Sequence, residues 1–345
     1  MAQPRETMRA VIIDAIGKPR VLKVARRWLP EPAAGEVRIK VRAASVNPRD
    51  LHLRSGRFII RKPLPHILGG DVAGTIAKLG ENVAGWQVGD RVFACFDELG
   101  CEIDGAYAEA CCIAAQHLAR LPEKLDFQAA VGAGAAFADA TLALMRNGRL
   151  QAGETLVIRG AACSLGAAAV QIARQAGARV IAISPLEHAE GLRGIGADIV
   201  LEDAGEDLVR QVKVATDGIG ANLVLHAGPR LDLGESLDML AARGRLTLTG
   251  ALDERLVKLD ARDLVARNLS IHGAHGSIAV DDLTELLQHL ADGDYRALVD
   301  EVLPLSQARQ AHQRAEKTAG LGKIVLVPDS VLAAAQKPDN WVPIT

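Results

Sequence analysis

Residues 155–184 read TLVIRGAACSLGAAAVQIARQAGARVIAIS. An apolar, β-prone run (Thr155 to Arg159) meets Gly160. An Ala-rich helical run follows Gly166, and a second apolar β-prone run begins at Arg179. Strand, tight turn, helix, strand is the pattern of two parallel strands joined by a crossover helix. The turn, Gly160-Ala161-Ala162-Cys163-Ser164-Leu165-Gly166, keeps glycine at both ends and small residues through most of its middle. Backbone N–H groups and the helix dipole make such a helix start favourable for an anion. Glycine is needed where the chain turns sharply and where a phosphate approaches the backbone. A dinucleotide turn carries glycine at the middle position, and here Cys163 stands there. The stretch is a candidate phosphate cradle. Taken alone it reads equally as a tightly packed connection, with Cys163 as a small buried apolar residue.

Downstream the alternation continues. Apolar strands DIVL, ANLVLHAG, RLTLTG and LSIHG are separated by helical EDLVRQVKVATDG and LGESLDMLAARG. Near-continuous apolar strands between helices predict a parallel sheet covered on both faces. The chain then gives a helix (DDLTELLQHLADGDY), a second helix (SQARQAHQRAEKTAG) and a closing strand (GKIVLVP). Residues after Pro328 show no clear period and read as a surface tail.

Upstream the texture differs. From Met8 to about Arg120, MRAVII, EVRIKVRAASV, VAGTIAKLG, DRVFACF and AYAEACCI read as short strands punctuated by Gly, Pro and Asp. That is an all-β unit. It passes near Phe127 into the Ala-rich helical stretch QAAVGAGAAFADATLALMRNG. The expected plan is 8–126 as a β-rich catalytic domain, 127–265 as a doubly wound α/β domain, 266–328 as a return to the first domain, and 329–345 as a tail. The default ligand site of such a plan is the cleft between domains, at the carboxyl ends of the parallel strands.

Bulk properties narrow the function classes. The 345 residues carry a formal net charge of -2, and the 40 Lys and Arg are scattered. Only 3% of residues are aromatic. Neither the electrostatic footprint nor the stacking platform of a nucleic-acid binder is present, and no basic surface for an anionic membrane is evident. Five unevenly spaced cysteines fit reduced thiols better than a disulfide framework. The N-terminus shows no signal-peptide pattern, and the longest apolar runs are strand-length, so the expectation is a cytoplasmic protein that spans no bilayer.

The second strand ends at Ser184-Pro185 without the Asp or Glu that takes the ribose hydroxyls of NAD. His188 and Arg193 follow, which leans toward the 2′-phosphate of NADP; both also read as ordinary solvated side chains.

At this point the chain resembles a family. SVNPRDLHLRSG (45–56), PHILGGDVAGTIAKLGENVAGWQVGDRV (65–92), GAYAEA (105–110), residues 150–183, GIGADIVL (194–201) and GKIVLV (322–327) are similar to zinc-independent members of the medium-chain dehydrogenase/reductase superfamily, nearest the quinone oxidoreductases. The resemblance covers about Met8 to Pro328. It implies an α/β fold in which a GroES-like β-rich catalytic domain carries an inserted Rossmann domain with a doubly wound parallel sheet. It also implies NADPH as cofactor, with NADH less favoured, a small-molecule substrate, and a homodimer formed by edge pairing of Rossmann strands.

Metal is testable from the residues. Zinc needs three or four well-placed Cys, His or carboxylate ligands. Zinc-dependent relatives have Cys at the position of Asn47 and His-Glu at Gly70-Asp71, and the cysteines of FDELGCEIDGAYAEACC are unsuitably spaced for a structural zinc. No zinc is expected.

Without a metal, reduction needs a nicotinamide hydride and a proton from a side chain or water. His52 stands where the quinone oxidoreductases commonly have Tyr, and is the expected donor; it also reads as a loop histidine without a role. The resemblance assigns Asn47 to orienting substrate or nicotinamide. It allows Arg54 to fix an anionic or carbonyl group, against the plainer reading of a salt bridge. Asp50 reads as a local cap. For the cofactor, Gly160, Ala161, Cys163, Ser164, Leu165 and Gly166 are expected beside the pyrophosphate, and Ser184 and His188 near the adenosine ribose. Gly228, Gly250, Asp139 and Lys323 are expected toward the nicotinamide half.

The chain departs from the family pattern at Cys163 and Ser164, at Asp139 for Thr, at Gly134 for Pro, and at Asn222 and His226 for acidic residues. Three functions stay open on the sequence: an NADPH-dependent reductase of quinones or conjugated carbonyls, an enoyl-thioester reductase, and a non-enzymatic NADP(H) sensor or scaffold.

Overall fold

The computed structural model describes residues 5–203, 207–228, 232–249, 259–317 and 320–332. The chain divides into two units, residues 1–135 with 279–345, and residues 136–278.

The first unit begins with strands β1 (Thr7–Ile13), β2 (Leu22–Trp28) and β3 (Glu36–Ser45), and helix α1 (Pro48–Ser55). Strands β4 (His66–Ile67), β5 (Asp71–Leu79), β6 (Arg91–Cys95), β7 (Ala110–Ala114) and β8 (Ala119–Arg120) follow. Strands β2, β1 and β4 make a small antiparallel sheet. β3 is the hub of the larger one, pairing antiparallel with β5 and β7. The all-β expectation needs one correction, because SVNPRDLHLRSG forms α1. Pro48 fits the first helical position, Asp50 accepts the Asn47 N–H at 2.9 Å, and Gly56 ends the helix with a left-handed φ of +84°. Strand β2 was also hidden, because Lys23, Arg26 and Arg27 interrupt its apolar alternation on an exposed face.

Helix α2 (Phe127–Thr141) runs on into a π-helical stretch, Leu142–Asn147. Together they are the one helical span among the described residues long and apolar enough to cross a membrane, which corrects the strand-length limit read from the sequence. Most of that span is buried within the protein, as in a core helix.

The second unit is a six-stranded, all-parallel sheet: β9 (Thr155–Arg159), β10 (Arg179–Ser184), β11 (Ile199–Glu202), β12 (Ala221–His226), β13 (Leu240–Thr249) and β14 (Ser270–Ala274). Helices α3 (Ser164–Gln175), α4 (Ala189–Gly194), α5 (Leu208–Ala215), α6 (Leu233–Asp238) and α7 (Ala261–Arg267) lie between its strands. The spatial order is β11-β10-β9-β12-β13-β14. This is the doubly wound order of dinucleotide-binding sheets, reversing direction between β9 and β12. The six strands expected from sequence are all present. LGESLDMLAARG is not one helix: α6 stops at Asp238 and β13 starts at Leu240, with a bulge beside β12 that absorbs Ala241–Gly244.

The chain returns to the first unit through helix α8 (Val280–Asp292), β15 (Val299–Pro304), α9 (Ala308–Ala315), β16 (Lys323–Val327) and the short α10 (Asp329–Leu332). Strand β15 was not expected, because Asp300 and Glu301 break its apolar run; it pairs parallel to β16. Strand β16 then pairs with β3 through Val325–Ser45 and Leu326–Ala44. That register brings the closing GKIVL stretch to the end of β3, next to α1. Of the expected tail, residues 333–345 lie outside the described residues.

Candidate functional site

The second unit offers a crevice where the sheet reverses. Gly160 follows β9 with a φ of +77°, and a Cβ there would lie 2.6 Å from both N and Cα of Gly228, which follows β12. Only glycine allows this approach. The turn is tied down by Ala161 N–H to Ile183 O at 3.0 Å and Ala227 N–H to Arg159 O at 2.9 Å. The two strand ends and the α3 N-terminus thus converge where such folds place a pyrophosphate.

Cys163 is the N-cap of α3. Its Sγ accepts the Gly166 N–H at 3.3 Å, donates to Gly160 O at 3.2 Å and lies 4.0 Å from Ala227 O. Burial pushes the thiol pKa up, so the group stays protonated and acts as a neutral cap. The side chain folds onto the turn and occupies one of the N–H groups that a helix start otherwise leaves free. Ser164 and Leu165 begin the helix, and Gly166 packs against Ala161 too closely for any Cβ.

At the end of β10, Ser184 is buried and its hydroxyl donates to Pro185 O at 3.0 Å. Glu187, in the turn that follows, is an exposed carboxylate 3.5 Å from His188 Nε2. Asp139 lies on an exposed position of α2. Gly250 lies outside the described residues.

The first unit holds a buried polar set at the end of β3. Asp71, fully buried at the start of β5, accepts the Ser45 N–H at 2.7 Å, the Ser45 hydroxyl at 2.5 Å and Asn47 Nδ2 at 3.1 Å. Lys323 Nζ donates to Asn47 Oδ1 at 2.5 Å and to Ser45 Oγ at 3.2 Å, and is 3.7 Å from Asp71. The Asn47 amide is therefore fixed in one orientation, its nitrogen on a carboxylate and its oxygen on an ammonium. Lys323 was expected to serve the cofactor and Asn47 the substrate or nicotinamide; the structure joins them in one network.

The other two residues expected to be catalytic make other contacts. Arg54 is a correction: it is 1% exposed and paired with Glu316 rather than open to a substrate. Asp50, Leu53 and Arg54, spaced three and four apart, share the buried face of α1. His52 sits on another face of α1, half-buried, its ring 5.0 Å from that of Phe58. Burial and the nearby Arg57 lower its pKa, so near neutral pH it is a neutral ring that offers an N–H.

Three residues that sequence reasoning did not assign to a site, Asp50, Tyr107 and His312, meet at the buried face of α1. Asp50 accepts from Asn47 N at 2.9 Å, Gly69 N at 3.2 Å and the Tyr107 hydroxyl at 3.2 Å. The same hydroxyl is 3.2 Å from His312 Nε2 on α9. Gly69, with a φ of +109°, makes this possible: a Cβ there would lie 2.7 Å from the Tyr107 ring. The signal for His312 was present in SQARQAHQRAEKTAG, where Ala308, Ala311 and His312 share a buried stripe.

Among the described residues no three His, Cys, Asp or Glu side chains gather as a metal-holding group.

Residues 33–123 match the family of alcohol dehydrogenase GroES-like domains, and residues 164–292 the family called zinc-binding dehydrogenase. The quinone oxidoreductase of Rattus norvegicus is 31% identical over 335 residues, 95% of this chain and 100% of that protein. Among solved structures, AibC superposes with a TM-score of 0.87 at 30% identity, covering 94% of this chain and 96% of the other. Mycobacterial Rv1454c complexed with NADPH does so with a TM-score of 0.81 at 29% identity, covering 93% and 100%. The sensor or scaffold reading of the sequence gives way to an enzyme. The chain belongs to the medium-chain dehydrogenase/reductase superfamily on its quinone oxidoreductase-like side, an oxidoreductase that takes a nicotinamide cofactor and a small-molecule substrate.

Proposed function

We propose that this protein is an NADPH-dependent, metal-independent reductase of quinones or conjugated carbonyls. The observation that carries the reading is the Lys323–Asn47–Asp71 network. Zinc-dependent relatives have Cys at the position of Asn47 and a His-Glu pair at Gly70-Asp71. Here these positions hold an amide, a glycine with no donor side chain, and a carboxylate already facing an ammonium. A lysine ammonium has no lone pair to give and repels a second cation, so this donor set does not fit zinc.

The nicotinamide cofactor does fit the second unit, where the close Gly160–Gly228 approach brings two strand ends beside the α3 N-terminus at the sheet reversal. Gly160, Ala161, Ser164, Leu165 and Gly166 would hold the pyrophosphate. The absence of a carboxylate at Ser184-Pro185 supports NADPH, and the mycobacterial neighbour was solved with NADPH. Bound NADPH supplies a hydride, and the reduced substrate takes its proton from water or a side chain. The residues' own parts follow from their geometry. Asn47, locked by Asp71 and Lys323, orients the ligand, and the Lys323 ammonium lowers the energy of negative charge developing nearby. Neutral His52 offers an N–H to a carbonyl oxygen and relays a proton from solvent.

Two further features belong to this reading. Among the described residues β14 is an end strand of the six-stranded sheet, which supports a homodimer formed by edge pairing. The five cysteines, all free thiols, support a reducing compartment such as the cytoplasm.

The test is a titration with NADPH and NADH, followed by nicotinamide fluorescence, and then turnover of quinones, enones, aldehydes and enoyl thioesters. NADPH ahead of NADH with quinone or enone turnover is the expected result. Turnover of enoyl thioesters alone, rising with chain length, would replace the quinone reading with the thioester one.

A further inference from the structure

The phenolic oxygen of Tyr107 stands between Asp50 Oδ2 and His312 Nε2, 3.2 Å from each. A hydroxyl carries one proton and can donate to only one of them. Which one is decided by the histidine. Burial and the nearby Arg54 push the His312 pKa down to about 3, so its ring is neutral and carries one N–H. Its Nδ1 meets no hydrogen-bond partner among the described residues. An N–H left there would be a buried orphan donor, whereas an unpaired ring lone pair is less costly. The proton therefore sits on Nε2 and points at the phenolic oxygen. The tyrosine hydroxyl is left with one outlet, Asp50.

Asp50 in turn ties two segments together. Its Oδ2 takes the Asn47 N–H, and its Oδ1 takes the Gly69 N–H two residues before Asp71. Asn47 and Asp71, with Ser45, are side chains that meet Lys323. The groups around Asp50 come from every neighbouring element: Arg49 and Arg54 on α1, Asp71 on β5, Tyr107 before β7, and His312 with Glu316 on and just after α9.

We propose that Tyr107 and His312 are positioning residues of the reductase site: His312 directs the Tyr107 hydroxyl onto Asp50, and Asp50 so held keeps Asn47 and Asp71 in the register that Lys323 bridges. The inference rests on the proposed function, because it takes the Asn47–Asp71–Lys323 network as the substrate end of the site.

The experiment uses the full chain as wild type, Tyr107→Phe, His312→Leu and His312→Gln. kcat and KM are measured from pH 5 to 8 with NADPH and 9,10-phenanthrenequinone as probe. The Asp50 carboxyl is titrated in parallel by carbon NMR, assigned through Asp50→Asn. In wild type the acid limb of kcat should follow the Asp50 titration. Tyr107→Phe, which removes a donor to the carboxylate, should move both midpoints up by about one pH unit with KM within about twofold. His312→Leu should move them the same way by less, and His312→Gln, which can present an N–H to the phenolic oxygen, should return them to the wild-type position.

Midpoints that stay at the wild-type value in Tyr107→Phe or in His312→Leu overturn the proposal, as does a drop in kcat that is uniform across pH. Absence of wild-type turnover with either nicotinamide would count against the functional reading alone. The NMR midpoint of Asp50 then decides the relay by itself, with the same shifts expected. Should His312→Leu fail to fold, Tyr107→Phe carries the test.

Discussion

Lys323 Nζ lies 2.5 Å from Asn47 Oδ1, joining residues 276 positions apart in the chain, and 3.7 Å from the fully buried Asp71 carboxylate. Truncating the lysine leaves that carboxylate buried without its counter-charge. Lys323→Met should therefore destabilise the fold by about 3 kcal/mol in urea unfolding. Adding Asp71→Asn should recover most of the stability, because the orphaned charge is gone, without recovering turnover, because the cation is still missing. A single variant that loses under about 1 kcal/mol would show that the lysine does not balance Asp71.

Asp50 has a definite signature in stability against pH. Burial, with a contribution from Asp71, raises its pKa from 3.8 to about 6. The folded chain thus holds a proton that the unfolded chain releases. This contribution to stability is fully present below pH 3.8 and is lost as pH rises through 6. At about 1.4 kcal/mol per unit, the loss is about 3 kcal/mol by pH 7. Asp50→Asn stays neutral, so its stability relative to wild type should climb by that amount between pH 4 and 7. A flat difference in chemical denaturation across that range would mean that Asp50 is ionised without strain.

His312 acts in the opposite sense. Its pKa is lowered to about 3, so below pH 6.5 the unfolded chain takes up a proton that the folded chain refuses. Its contribution is fully present above pH 6.5 and declines as pH falls from 6.5 toward 3. Relative to wild type, His312→Gln should gain about 1.4 kcal/mol for each unit of acidification in that window. Between pH 4 and 6 the Asp50 and His312 slopes oppose each other in the wild type. Only the two single variants, compared by urea unfolding at several pH values, separate them. Equal stability differences at pH 6.5 and pH 4 would contradict a neutral buried His312.

The second unit was legible because each of its strands is a short apolar run and each connection begins or ends with turn chemistry, as at Gly160 and Gly177. The local order of β9, turn, α3 and β10 follows from residues 155–184 alone; the spatial order of the sheet does not, since periodicity says nothing about which strands are neighbours. The first unit was harder to read. Charges on exposed faces broke the pattern of β2 and β15, and α1 is too short to show a clear helical period. Read as a helix, SVNPRDLHLRSG places Arg54 on the same side as Asp50, which would have turned it inward. The Lys323 network could not be read locally, because it depends on β16 pairing with β3. Tyr107 and His312 meet for a similar reason: α9 is reached only when the chain returns to the first unit, which brings His312 to Tyr107.

Cys163 closes the N-terminus of α3 with a thiol that accepts from Gly166 N and donates to Gly160 O. In Cys163→Gly that cap is lost, and the Gly166 N–H becomes available to a phosphate oxygen. One additional hydrogen bond to an anion should tighten NADPH binding by about three- to tenfold. The same change removes a helix cap and loosens the backbone, lowering stability by about 1 kcal/mol. Cys163→Ser retains a capping side chain and should leave both quantities near wild type. Fluorescence titration with NADPH and thermal unfolding of the three proteins give the answer together. Tighter binding with lower stability in the glycine variant alone identifies the thiol as a competitor for the helix N-terminus. Binding that is unchanged or weaker in Cys163→Gly would mean that the phosphate is held by the other N–H groups of the turn, and that Cys163 serves only the fold.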